Sequence, residues 1–174
     1  MSTRPRLRKF ALTAHVVSSI GWLGAVAVFL ALSIVGLTSQ DAQVVRAAYL
    51  AMESIGWLVL VPLSVASLLT GLVQALGTKW GLFRHYWVLA KLLINVGATI
   101  VLLLYMQTLS HLAGIAGATM SSGGFGGLRN PSPLLHAGVA LLLLLMAATL
   151  SVYKPPGLTR YGRRQQERRT APQP

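Results

Sequence analysis

The chain has 174 residues, 54% of them hydrophobic and only 10% charged, and it contains no cysteine. A soluble domain carries roughly a quarter charged residues, so the composition excludes one. The missing cysteines exclude disulfides, thiolate nucleophiles, Cys-ligated zinc and iron–sulfur clusters. The formal net charge of +12 comes without a nucleic-acid-binding motif. Its lysines and arginines gather at the ends of apolar stretches, which is a topology signal and not a groove for phosphates.

Mean hydropathy is +0.63. A spanning helix needs about 20 apolar residues to cross a core roughly 30 Å thick, and four stretches meet that length. The first covers 10–37 and follows Arg4, Arg6, Arg8 and Lys9. It is too long for the roughly 7–15-residue apolar region of a signal peptide, and no small-residue cleavage site follows it, so it reads as a retained span. His15, Ser18, Ser19 and Trp22 share one face of this helix by their spacing. Gly21 and Gly24 lie nearby and allow close helix approach.

The second stretch covers 47–77. Pro62 falls in its middle, removes a backbone hydrogen bond and predicts a kink. Met52 and Glu53 stand toward one end, and Ser67, Thr70 and Gln74 toward the other. The third stretch covers 86–109. Lys91, Asn95 and Thr99 repeat every four residues on it, and Met106 and His111 lie at its far end. A loop rich in Gly, Ser and Ala follows over 110–130. Its Gly123-Gly124-Phe125-Gly126-Gly127 run is expected to be mobile. It is no phosphate loop, because no strand precedes it and no Lys-Ser/Thr follows.

The fourth stretch covers 133–153. Ser132 reads as its N-cap and Pro133 as its first-turn proline, while Pro155-Pro156-Gly157 stops it. Trp57, Trp80, Tyr86, Trp87 and Tyr153 fall near expected interfaces, as aromatic belts do. The tail at 155–174 is polar and basic. Its composition predicts disorder, and its charge allows contact with anionic lipid.

Orientation follows from the flanks. With the N-terminus inside, twelve lysines and arginines fall in the inner flanks, against Arg46 and Arg129 outside. The expected fold is all-α: a polytopic membrane protein whose residues 1–154 form a bundle of four transmembrane helices, N-in and C-in.

Depth follows from a rise of about 1.5 Å per residue. By that count His15 lies roughly 7 Å and Lys91 roughly 6 Å inside the core, so the two are level, while His85 lies about 3 Å outside it. His15, Trp22, Lys91 and Asn95 are the expected polar intramembrane face, since polar groups in lipid must turn inward to find partners. At the other boundary Glu53, His111 and His136 come to similar depth beside Met52, Met106 and Met120. A Glu, His and Met set suits copper or a similar divalent ion. Plainer roles fit the same residues: Lys91 snorkelling to the interface, His85, His111 and His136 at solvated helix ends, and His15 as a hydrogen-bonded packing residue.

The stretch His15-Val-Val-Ser-Ser-Ile-Gly-Trp22-Leu-Gly24 resembles the first helix of CopD-like copper-resistance membrane proteins, in which a histidine precedes Trp-x-Gly. The stretches from Gly77 to Lys91 and from Leu150 to Gly162 are similar to those of a family of small four-helix bacterial integral membrane proteins of unknown function. The resemblance implies a bacterial cytoplasmic (inner) membrane, copper handling, and a functional face that includes His15 and Trp22.

Three roles are therefore expected. One is metal handling through Glu53, His111 and His136. Another is a haem-b electron-transfer bundle, because histidines stand near both faces. The last is a non-catalytic accessory subunit that packs on a membrane partner or on a second copy. With Asp41, Glu53 and Glu167 as its only acids and no hydrolytic triad or zinc-protease motif, the chain is not expected to be an enzyme.

Overall fold

The computed structural model describes residues 5–77, 82–118 and 129–170. They form α1 (Pro5–Thr38), α2 (Ala42–Ile55), a π-helical turn (Gly56–Leu60), α3 (Val61–Gly77), α4 (Tyr86–Ala118), α5 (Ser132–Tyr153) and α6 (Arg160–Thr170). Four helices are long and apolar enough to cross a membrane: Arg6–Thr38, the continuous helix Ala42–Gly77, Tyr86–Ala118 and Ser132–Tyr153. The expected glycine run at 123–127 lies outside the described residues.

Three of these helices are longer than a bilayer requires. At about 1.5 Å per residue, the 33 residues of α4 span about 50 Å and the 22 residues of α5 about 33 Å. The third stretch was expected to end at 109 and the second to start at 47. Instead α4 runs on to Ala118 and α2 starts at Ala42. Packing explains both extensions. Leu112, Ala113 and Ala116 of α4 are buried, as are Val45, Ala48, Tyr49 and Met52 on one face of α2. The two faces meet. Asp41 starts α2 by accepting the Gln43 N–H at 2.8 Å, which satisfies one of the donors a helix N-terminus leaves open.

The residues just ahead of Pro62 form a wider turn. The Pro62 ring crowds the Leu58 carbonyl and offers that carbonyl no N–H. The helix absorbs the defect over Gly56–Leu60 as one π-helical turn. Gly56 is buried there against Met106 of α4.

α1 packs on α2, α3 and α5, and α4 packs on α2, α3 and α5. The apolar core runs between them through Trp22, Phe29, Met52, Leu60, Met106 and Leu144. One end of the molecule collects the start of α1, the end of α3, the start of α4 and the end of α5. There Gln74 Nε2 donates to the Ala11 carbonyl at 3.1 Å, and the Tyr86 N–H donates to the Gly157 carbonyl at 3.3 Å. Arg6, Arg8, Lys9, Arg84 and Lys154 lie at this basic end.

The tail departs from the expected disorder, because Arg160–Thr170 is helical. Thr159 is the clip that seats it. Its N–H donates to the Arg84 carbonyl at 3.0 Å, its hydroxyl donates to the Phe83 carbonyl, and its oxygen accepts the Gly162 N–H at 3.1 Å. One side chain thus caps α6 and fastens it to the connection ahead of α4.

Candidate functional site

α5 begins one residue earlier than the Ser132 cap expected from sequence. Pro131 takes the cap position, and the Asn130 side chain accepts the Ser132 N–H at 2.9 Å. This start sets the height of His136 one turn in. His136 Nδ1 lies 2.8 Å from the Ser132 carbonyl oxygen and 3.3 Å from the Ser132 hydroxyl. A carbonyl only accepts, so Nδ1 carries the hydrogen, which leaves Nε2 facing away from this contact. The ring stacks on Tyr105 of α4, with centroids 3.9 Å apart and planes at 18°. The Tyr105 hydroxyl is buried near Ser132 without a hydrogen bond of standard geometry.

This stacked pair borders a cavity of about 340 Å³ between α1, α4 and α5. Small side chains create the space: Gly97 and Ala98 on α4 face Ala137 and Ala140 on α5. A methyl group added at Gly97 would meet nothing within 4 Å. Trp22, Phe29 and Leu60 close the inner wall and are buried, whereas Val101, Leu135 and Val139 on the rim are exposed. The cavity therefore opens between α4 and α5 onto the apolar flank of the protein. Apart from Tyr105 and His136 its lining is apolar, so it suits a small apolar molecule with one hydrogen-bonding end.

A second polar cluster lies toward the basic end, between α1 and α3. His15 Nδ1 is 3.1 Å from the Ser67 carbonyl oxygen and 3.2 Å from the Thr70 hydroxyl. Ser19 and Ser67 share a hydrogen bond of 2.8 Å, and Ser67 is fully buried. Lys91 of α4 lies within electrostatic reach of His15. The Thr99 hydroxyl, two turns beyond Lys91, is buried without a partner. This arrangement knits α1 to α3, and it satisfies the side chains of His15, Ser19 and Ser67 locally.

The residues expected to act together are distributed differently. His15 and Lys91 are brought near each other, with Asn95 half-buried one turn along α4. Trp22 leaves that polar face and is buried in the apolar core at the cavity wall. Glu53 is half-buried, while His111 and His136 are exposed. Among the described residues no group of three or more His, Asp or Glu side chains is placed to hold a metal ion. Similar depth alone does not make Glu53, His111 and His136 a ligand set, since depth leaves the rotation of each helix about its axis open. His136 is the one histidine on the described cavity lining. Sequence reasoning missed Tyr105 and the small pairs at 97–98 and 137–140. The signal available was a cluster of Gly and Ala at one depth in two leucine-rich spans, which marks either close packing or space.

No family model, curated protein or solved structure matches the chain.

Proposed function

We propose that this is a multi-pass protein of the bacterial cytoplasmic membrane, a four-helix bundle with both termini inside, that binds a small apolar molecule bearing one oxygen at its polar end. The single observation that carries this reading is the apolar cavity bordered by the stacked Tyr105 and His136. Its volume is at the small end of the usual range for ligand pockets, roughly 300–1,000 Å³. Its exposed rim at Val101, Leu135 and Val139 would admit a ligand from the lipid phase. The Tyr105 hydroxyl offers a donor and an acceptor and the His136 ring a second polar group, so a carbonyl or hydroxyl oxygen suits the polar end. The excess of Lys and Arg at one end supports the orientation. Copper handling by Glu53, His111 and His136 and haem-b ligation draw less support, since one histidine alone borders the cavity.

The test uses 2-methyl-1,4-naphthoquinone, an apolar ring with carbonyl oxygens, as a quencher of Trp22. Trp57, Trp80 and Trp87 are replaced by Phe, so Trp22 alone reports. Quenching is expected to saturate, and Ala140→Phe, which fills the space, removes the saturable phase. Tyr105→Phe weakens binding about 2- to 10-fold, the scale of one net hydrogen bond. Quenching that rises linearly and equally in the parent and in Ala140→Phe would overturn the proposal.

A further inference from the structure

We infer that α6 is a seated platform for anionic phospholipid headgroups of the leaflet at the basic end. The inference rests on the α6 clip and stands apart from the cavity reading.

A basic tail that only fixed topology would need no structure, because the Lys/Arg bias acts through charge near the span. Here the tail is folded and fastened. Leu158 bridges to His85, Tyr86 and Gly157 share a backbone hydrogen bond, and Thr159 binds both the Phe83 and Arg84 carbonyls. These attachments lie between the last turn of α5 and the first turn of α4. They hold the start of α6 within a few residues of two membrane-spanning helices, inside the roughly 8–10 Å over which surface charge is felt at ordinary ionic strength.

The composition of α6 then selects the partner. Arg160, Arg163 and Arg164 are exposed, and their spacing puts them on one side of the helix. The α6 sequence adds Arg168 and Arg169, against Glu167 as its sole acid. It has no apolar stripe that could insert between acyl chains or dock in a protein groove. Its attraction is therefore electrostatic, and the nearest extended anionic surface is the headgroup layer. Exposed aromatics surround the seat: Tyr86 is 57%, Tyr153 79% and Tyr161 60% accessible. Such rings settle at headgroup level. The other acids of the chain, Asp41 and Glu53, sit toward the opposite end and do not compete for these arginines.

The experiment places the full-length protein in nanodiscs of phosphatidylcholine alone or of phosphatidylcholine mixed with phosphatidylglycerol, and follows amide exchange over 160–170. Exchange is expected to slow about tenfold in the anionic discs, and the slowing is expected to vanish in molar salt, where screening shortens to about 3 Å. The triple variant R160Q/R163Q/R164Q keeps the clip and loses the slowing. Equal exchange in both discs overturns the inference, as does slowing that persists in the triple variant. Inorganic phosphate added to the phosphatidylcholine discs is expected to change nothing. If it slows α6 as strongly as the anionic lipid does, the site is one for free phosphate and the lipid assignment fails.

Discussion

Gly162→Ala releases α6 from the membrane-spanning helices. A Cβ at this position lands on the Arg84 carbonyl oxygen, with Arg84 Cγ at 3.0 Å and its carbonyl carbon at 3.2 Å. A flexible side chain would swing aside. A backbone carbonyl does not, and this one is already held by the Thr159 N–H at 3.0 Å. The helix must lift instead, taking the Thr159 contacts with it. The sign of the accompanying change makes the test sharp. Alanine favours an isolated helix over glycine by about 0.5–1 kcal/mol, so α6 keeps or gains intrinsic helicity while it loses its seat. The amide of Thr159 is expected to exchange at least about tenfold faster, the effect of losing roughly 1.4 kcal/mol of protection, with no fall in circular-dichroism helicity. Thr159→Ala should reach the same state by removing the clip. Unchanged exchange at the residue-159 amide in both variants would refute this account of the tail.

Gly56→Val is expected to destabilise the packing between the second and third spans. A Cβ at Gly56 lies 2.6 Å from both Sδ and Cε of Met106. Met106 has no accessible surface, and neither does Met52 beside it in the core. The thioether is soft and mobile, but here it is enclosed. Overpacking of this kind costs about 1–3 kcal/mol, which corresponds to a fall of roughly 2–10 °C in the melting temperature of a chain this size. Met106→Ala alone leaves a hole and costs about 2–5 kcal/mol. Combined, the two changes partly cancel, because the valine occupies what the methionine vacates. Melting of the two single variants and the double variant in one detergent measures that coupling, and strictly additive losses would rule the contact out.

The four apolar stretches were legible because a 30 Å core demands a run of apolar residues that nothing else in a chain this size supplies. The start of α4 at Tyr86 and the end of α5 at Tyr153 fell where sequence placed them, since charge and Pro-Pro-Gly mark those ends. The last turns of α4 were not legible. Ser110, His111, Gly114 and Gly117 look like loop residues, and it is the burial of their neighbours Leu112, Ala113 and Ala116 that accompanies the helix there. The level of His15 with Lys91 came from rise per residue, a property of one helix at a time. Which way each helix is turned is a property of their packing. Hence Trp22 moved to the apolar core, and Glu53, His111 and His136 did not assemble. α6 was illegible for a different reason. Its order comes from Thr159 and Gly162 meeting the backbone of Phe83 and Arg84, some 75 residues away in sequence and without any hydrophobic period.

The π-helical turn has a consequence for how this chain tolerates length changes. Buried Met52, Gly56, Leu60 and Ser64 succeed one another in steps of four, where an α-helix averages 3.6 residues per turn. The stretch therefore carries close to one residue beyond what an unbroken helix needs to point both halves as they now point. Deleting Leu58, whose side chain is 77% exposed, lets the wide turn close into an ordinary one. The Val45–Met52 face and the Ser64–Ser67 face then keep their partners. The same deletion made at Leu69, also exposed, has no surplus to draw on. It rotates everything beyond by about 100° and turns Gln74 away from Ala11. A single codon lost in one turn of this helix is thus expected to leave a folded protein, whose melting transition survives, and three turns later to abolish it.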